Sequence, residues 1–423
     1  MAGQGLLGNS DYVRYRIARG TSLLGSQLSG VCYVLLVLAL GGGAVQAGAI
    51  GSASLITRSV CRLPGGHVAD RFDRRRLMYL MDLICVVAVG SIPLASAAGL
   101  LRYPQLLAVA IIEGAASSVF RPSATVFIRD VVPPGLLQRA LSQMQTSTAA
   151  ISTVGPLAGG ALFGFGRMLP FTADAASYGV SCALLLWGSV IRRPAGPAAA
   201  EAAVRPAVTD NRMTAGLRWL WQQQTVMRLV YFASALNFTA AAAPVAVVVV
   251  LREHGTAPVV IGALMGCIGA GSVLGAMASA RLIGWLGTAR LFLLVGFAWA
   301  AGFAAFAVDA SAYVVGPVLV LLFVVSPASG RALYNVTVGE APHELLGRVS
   351  TAENMISSSL ATVAPLLAGT LLAVFGDRSI WLVLAGICAV VTVVAVLPMA
   401  VARKPPAPVV GEPQAQVPAG ERG

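Results

Sequence analysis

Apolar stretches of about 20 residues recur along the whole chain, and this recurrence restricts the fold more than any other feature. A run of that length crosses about 30 Å of hydrocarbon as a helix. Lipid gives an unpaired backbone nothing to bond to, so only helices and closed barrels span it. Twelve spans are expected, at 17–40, 47–69, 77–97, 104–127, 141–165, 169–191, 229–251, 259–282, 290–308, 312–333, 352–375 and 379–401. A barrel would alternate apolar and polar residues in segments of about ten. With 57% hydrophobic and 11% charged residues among 423, one soluble domain is not a workable reading. The expected fold is an all-α polytopic membrane protein with twelve transmembrane helices in two pseudo-symmetric six-helix bundles. The expected divisions are a first bundle at 1–191, a linker with an interfacial helix at 192–228, a second bundle at 229–402 and a disordered tail at 403–423.

Charge orients the spans. Of the 29 Lys and Arg residues, four (Arg58, Arg62, Arg121, Arg331) fall inside spans and four (Arg102, Arg167, Arg252, Arg378) on one side. The remaining 21 fall on the side that carries both termini. The positive-inside rule therefore predicts cytoplasmic termini and the cell's inner membrane, with no removable signal peptide. The net charge of +12 is thus topological and does not call for a nucleic-acid partner. The linker is rich in Ala, Pro and Arg, and then Leu217, Leu220 and Trp221 share a helical face suited to the lipid interface. The six Cys lie singly in apolar runs, so neither a disulfide framework nor a metal site is expected. No HExxH, GxSxG or nucleotide-binding motif is present, so the chain is not expected to be an enzyme, to use a cofactor or to be driven by ATP.

A shift of 209 residues aligns the halves. Leu136, Leu137 and Arg139 fall on Leu345, Leu346 and Arg348; Pro156 falls on Pro365, Gly160 on Gly369 and Gly66 on Gly275. A duplicated six-span unit places the halves in parallel about an axis along the membrane normal. In this register Asp70 maps to Ser279 and Arg71 to Ala280, so the second copy has lost its charges.

Between spans two and three, six charged residues fall in seven positions, Asp70 to Arg76. Such a turn cannot enter lipid, where a central Arg costs roughly 2.5–3.5 kcal/mol. With Gly66, Asp70, Arg71, Arg74 and Arg75, the turn resembles motif A of the major facilitator superfamily, with Asp73 in place of the usual second Gly. The resemblance implies a cytoplasmic gate, in which Asp70 would face the N-terminus of a helix beginning near Ala352. Gly155, Pro156, Gly159 and Gly160 in span five resemble motif C of that superfamily's antiporters, although Ile151 stands where a further Gly is common. Pro bends a helix and small residues admit a close neighbour. Ser22 to Gly25, Arg58, Arg121-Pro122 and Arg129 to Pro133 resemble the branch of macrolide- and siderophore-type exporters. That branch often carries an Asp where this chain has Ser26.

An ionisable group inside a span is a functional candidate by default. Glu113 is the leading proton-coupling candidate, with a static ion pair to Arg58 or Arg62 as the alternative. Asp82, Asp174 and Glu353 are further candidates, Asp82 with Arg58 or Arg62 as possible partners. Arg58, Arg62 and Arg121 are the intramembrane charge partners. Asn237, Tyr33, Phe238, Trp299 and Phe303 are candidates to line a cavity, with apolar packing the favoured reading for any single one. The expected function is alternating-access export of a small, largely apolar organic compound (a drug, antibiotic or secondary metabolite) by proton antiport. An uptake symporter or facilitator and a non-transporting sensor or scaffold are the alternatives. The expected partners are the substrate, protons and the bilayer, around a monomer.

Overall fold

A computed structural model describes residues 6–187, 213–342 and 344–401. Ten helices are long and apolar enough to cross a membrane. Twelve passes follow from two details of the backbone. Span two is broken into Ala44–Val60 and Arg62–Arg71, each too short to count alone. Spans eight and nine form one continuous run, Pro258–Val308, which folds back at Gly287. Gly287 has φ 67°, a left-handed conformation that glycine adopts without a Cβ penalty.

The other spans are Ser10–Ala39, Arg74–Ala97, Tyr103–Val131, Leu137–Phe165 and Leu169–Leu186 in the first half. Span seven is Gln224–Glu253 and span ten is Ala312–Glu340. Span eleven is Leu346–Ser359 and Ala364–Phe375, joined by a 3₁₀ turn at Leu360–Thr362 and followed by Pro365. Span twelve runs from Asp377, and its ladder widens to a π turn at Thr392–Val396. Helices reach several residues beyond the hydrophobic runs because backbone bonding continues into the polar margin. Span eleven begins at Leu346, so the helix start expected near Ala352 lies six residues too late; Ala352 is buried in its second turn.

The halves are joined by two matching contacts, both toward the end opposite the termini. Gly160 of span five lies against the Pro258 carbonyl and Gly262 of span eight, and Gly262 lies against the Pro156 carbonyl. Gly369 of span eleven lies against the Ala44 carbonyl of span two, and Gly48 lies against the Pro365 carbonyl. A Cβ at any of these four glycines would strike backbone. Ser52 Oγ also accepts from the Leu366 N–H at 2.9 Å. Small residues are what allow helices to approach this closely in lipid.

At the termini end each half packs on itself. Arg62–Arg71 packs on spans three and four. Leu346–Ser359 packs on span seven and on the helix Met213–Gln222. That helix buries Leu220 beside Val226, Met227, Val230 and Val349. Leu217 and Trp221, expected on the same face, are exposed because the helix docks on protein along a narrower stripe. Most of the expected linker and the expected tail lie outside the described residues.

A polar seam in the first bundle

Span one carries Ser22, Ser26, Ser29 and Tyr33 at spacings of four, three and four, which is one helical face. Span six carries Asp174, Tyr178 and Ser181 on its own face. Gly25 lets these faces close, since a Cβ there would strike Ser177 and Asp174. The two helices therefore share a seam of hydroxyls and carboxylates through the middle of the first bundle.

Glu113 enters this seam from span four. Tyr33 Oη donates to its Oε2 at 2.6 Å, and Tyr178 Oη donates to its Oε1 at 3.3 Å. The Tyr178 hydroxyl also lies 2.9 Å from Ser26 Oγ. Farther from the termini, Ser29 Oγ donates to Asp174 Oδ2 at 2.5 Å. Asp174 is fully buried, and its Oδ1 has no partner among the described residues. Nearer the termini, Ser181 Oγ donates to buried Asp82 at 2.5 Å. Three carboxyl groups from three helices thus line one seam and are held by hydroxyls.

Two expectations about these groups are corrected. Among the described side chains no carboxylate lies within ion-pair distance of Arg58 or Arg121; the ion pairs present are Arg14–Asp11, Arg74–Asp130 and His254–Asp377. Glu113 is therefore not locked to Arg58 or Arg62, because two tyrosines occupy both of its oxygens. Asp82 is partnered by Ser181 of span six and by neither arginine. Span three faces span six there, and the arginines of span two are on another side.

Outside the seam, half-buried Glu353 accepts from Thr337 Oγ1 at 3.0 Å, joining spans ten and eleven. In the charged turn, Asp73 caps span three through the Arg76 N–H at 2.8 Å. Arg74 pairs with Asp130 at 2.8 Å at the end of span four. Arg75 donates to the Leu185 and Leu186 carbonyls at 2.5 and 3.0 Å, satisfying acceptors that the end of span six leaves open. Asp70 and Arg71 close the short helix Arg62–Arg71; the Asp70 side chain lies outside the described residues. Gly66 faces open space, and its neighbour Gly65 packs on the Ser118 carbonyl as Gly275 packs on that of Val324. The local repeat here is therefore 210 residues, which places Arg71 on Arg281 and leaves the second copy with one of the charges.

In span five, Gly155 sits against Gln27 and Gly159 against the Leu28 carbonyl of span one. With Gly160 and Pro156 against span eight, this segment is the joint between span five and its two neighbours. Trp299 and Phe303 follow the packing reading and are buried among Phe306, Phe323 and Trp381. Asn237 Nδ2 donates to the Ser357 carbonyl at 3.0 Å, which ties span seven to the broken part of span eleven.

The seam itself was missed from sequence. Its signal is the hydroxyl spacing in span one, repeated in span six, and an apolar moment does not detect it. Ser26, where a carboxylate is often found, has its acid supplied from outside the helix: Tyr178 links it to Glu113, and Asp174 lies beside Ser29.

Comparison with known proteins agrees with this architecture. Residues 17–365 match the model of the Major Facilitator Superfamily. An uncharacterized MFS-type transporter of Mycobacterium tuberculosis is 34% identical over 112 residues, covering 26% of this chain and 18% of that protein. The match thus spans less than a fifth of that relative's length. The nucleoside transporter NupG superposes with a TM-score of 0.68 at 13% identity, over 92% of this chain and 99% of that one. A bacterial homologue of the iron transporter ferroportin, in an inward-facing state, gives 0.68 at 17% identity over 92% and 99%. A bacterial homologue of the human lysosomal transporter Spinster, inward-facing and occupied, gives 0.71 at 14% identity over 94% and 98%. At these identities the likeness is one of fold. With a family match over most of its length and the fold to go with it, the chain belongs to the Major Facilitator Superfamily and is a multi-pass membrane transporter.

Proposed function

We propose that this transporter exports a small, largely apolar organic compound (a drug, antibiotic or secondary metabolite) in exchange for protons. The observation that carries the reading is Glu113, mid-span, with both carboxyl oxygens held by tyrosine hydroxyls and, among the described residues, no cation in ion-pair range. A carboxyl in that setting is free to gain and lose a proton as water reaches it, whereas one locked to an arginine is not. Asp174, Asp82 and Glu353 are reserve sites on the same reasoning. With the termini in the cytoplasm, the glycine joints lie toward the outer side of the membrane. The divisions 1–191 and 229–402 act as a monomer's two rocking units about the glycine joints. Motif C supports export over uptake, because its glycines and Pro156 build one of those joints. Asp70, Arg71, Arg74 and Arg75 form the cytoplasmic gate, and Arg74 and Arg75 hold its base to spans four and six.

The test uses inverted membrane vesicles with an acid interior. A panel of dyes and antibiotics is offered outside. Accumulation that collapses with a protonophore supports antiport. No proton-dependent flux with any member of the panel overturns it.

A further inference from the structure

Arg58 lies midway along span two and is half-buried. Its Nε is shut off from water and has no hydrogen-bond partner among the described residues. Its Nη2 reaches only Ser54 Oγ of its own helix, at 3.5 Å, the outer limit of a hydrogen bond. The charged and titratable groups around it are Arg121 of span four and Glu113, with the neutral Tyr178 phenol donating to Glu113. Glu113 stays out of ion-pair range because Tyr33 and Tyr178 hold it. Arg121 is exposed and lies two helical turns from Glu113 toward the termini.

This arrangement is costly as it stands. Intramembrane arginines are ordinarily paired, and an uncompensated cation out of water is strongly unfavourable. Here the Arg58 guanidinium has no carboxylate in ion-pair range among the described residues, and the tyrosines that hold Glu113 keep that acid engaged elsewhere. A guanidinium offers planar, forked donors that match the oxygens of a carboxylate or similar oxyanion, and two such forks can take one anion between them. The site lies on the termini side of the glycine joints, where the halves are not held together by those contacts.

We propose that Arg58 and Arg121 seat an anionic group, a carboxylate or comparable oxyanion, carried by the transported molecule. This rests on the transport reading above but not on proton coupling. It narrows the substrate class to an amphipathic organic acid, a largely apolar compound that carries one acid group. The apolar body would occupy the lipid-like interior, and the acid group would complete the arginine pair. Glu113, next to this seat and held by tyrosines, then repels the anion when charged and tolerates it when protonated.

The experiment measures equilibrium binding to the purified full chain in detergent, without any gradient. The probes are benzoate, salicylate, 1-naphthoate and dodecanoate, each beside its uncharged amide. At least one acid should bind about tenfold more tightly than its amide. Arg58→Gln should erase that preference by weakening the acid to the level of its amide, and Arg58→Lys should restore part of it. Where Arg58→Gln does not elute as a single species, Arg121→Gln gives the same reading. No acid that outbinds its amide, or a preference that survives both glutamine variants, overturns the proposal. The vesicle flux assay separates the two readings. A carboxylate preference without proton coupling keeps the seat and rejects antiport; coupling without the preference does the reverse.

Discussion

The two six-helix halves share a backbone plan but fill their centres with different chemistry. The first half has Glu113, Asp174, Asp82, Arg58, two tyrosines and a run of serines between spans one, two, three, four and six. At its centre the second half has stacked and edge-on aromatics: Trp299, Phe303, Phe306, Phe323 and Trp381. Glu253, Asp309, Asp377 and Glu340 stand at or near helix ends, and Glu353, half-buried in the middle of Leu346–Ser359, is held by Thr337. The joints between the halves are almost exactly symmetric, and the cores are not. The matched joints fit a duplicated unit, while most buried ionisable groups lie in the first half and a packed aromatic cluster lies in the second. A rocking mechanism needs the levers to be alike at the joint only, so the interiors were free to diverge.

If the first half carries coupling and the second does not, the largest effect should come from Glu113. Glu113→Gln is expected to lower proton-driven efflux by about 100-fold, the scale of losing a positioned proton carrier, with normal amounts of protein in the membrane. Exchange without a gradient should persist. Full activity would move the role to Asp174 or Asp82 and break the comparison at its centre.

The joints come next. Gly160→Leu and Gly369→Leu drive a side chain into backbone on opposite sides of the pseudo-axis. Overpacking of this kind costs about 1–3 kcal/mol. Each should move the conformational equilibrium roughly 5- to 150-fold away from the form closed opposite the termini. Maleimide labelling of a cysteine placed at the outer end of span two reads that shift. Similar shifts in both variants support matched levers; a response at only one joint would make that joint the pivot.

Asp70→Asn probes the charged turn. The gate role predicts turnover slowed about tenfold with substrate affinity nearly unchanged, a pattern that separates a switching step from binding. Its nearest equivalent in the second half by the local repeat is Ala280, and Ala280→Asp should do little. Normal turnover in Asp70→Asn would leave the turn as a topology anchor, held by the bonds of Arg74 and Arg75.

The hydrophobic runs revealed twelve spans because lipid imposes one length on every helix. They also hid one break, because the hydropathy of span two does not show the interruption at Cys61; the turn at Gly287 falls in the gap expected between spans eight and nine. The repeat predicted Pro156 with Pro365 and Gly160 with Gly369, and these pairs do make the two joints. It missed their partners, since Gly48 and Gly262 stand 214 residues apart and fall outside the 209-residue register. Glu113 stood out as a charge in an apolar run. Its partners did not, because Tyr33 and Tyr178 read as ordinary apolar filling until the helices are placed side by side. The arginines misled in the opposite sense: Arg58 and Arg62 stood as charge partners for Glu113 and Asp82, and hydroxyls from spans one and six hold those acids instead.

The smallest expected effect tests the quiet side of the comparison. Trp299 Nε1 donates to Ser326 Oγ at 3.1 Å and to the Leu322 carbonyl at 3.2 Å, pinning span nine to span ten. Trp299→Phe keeps an aromatic ring in the cluster and removes this donor. Hydrogen bonds between membrane helices average about 0.6 kcal/mol, so the melting temperature in detergent should fall by only a few degrees. Efflux should stay within about twofold of the unmodified chain, because the change weakens packing and moves no charge. A large loss of proton coupling from so mild a change would place part of the transport chemistry in the second half. The aromatic core would then be a working surface, and the division of labour between the halves would have to be given up.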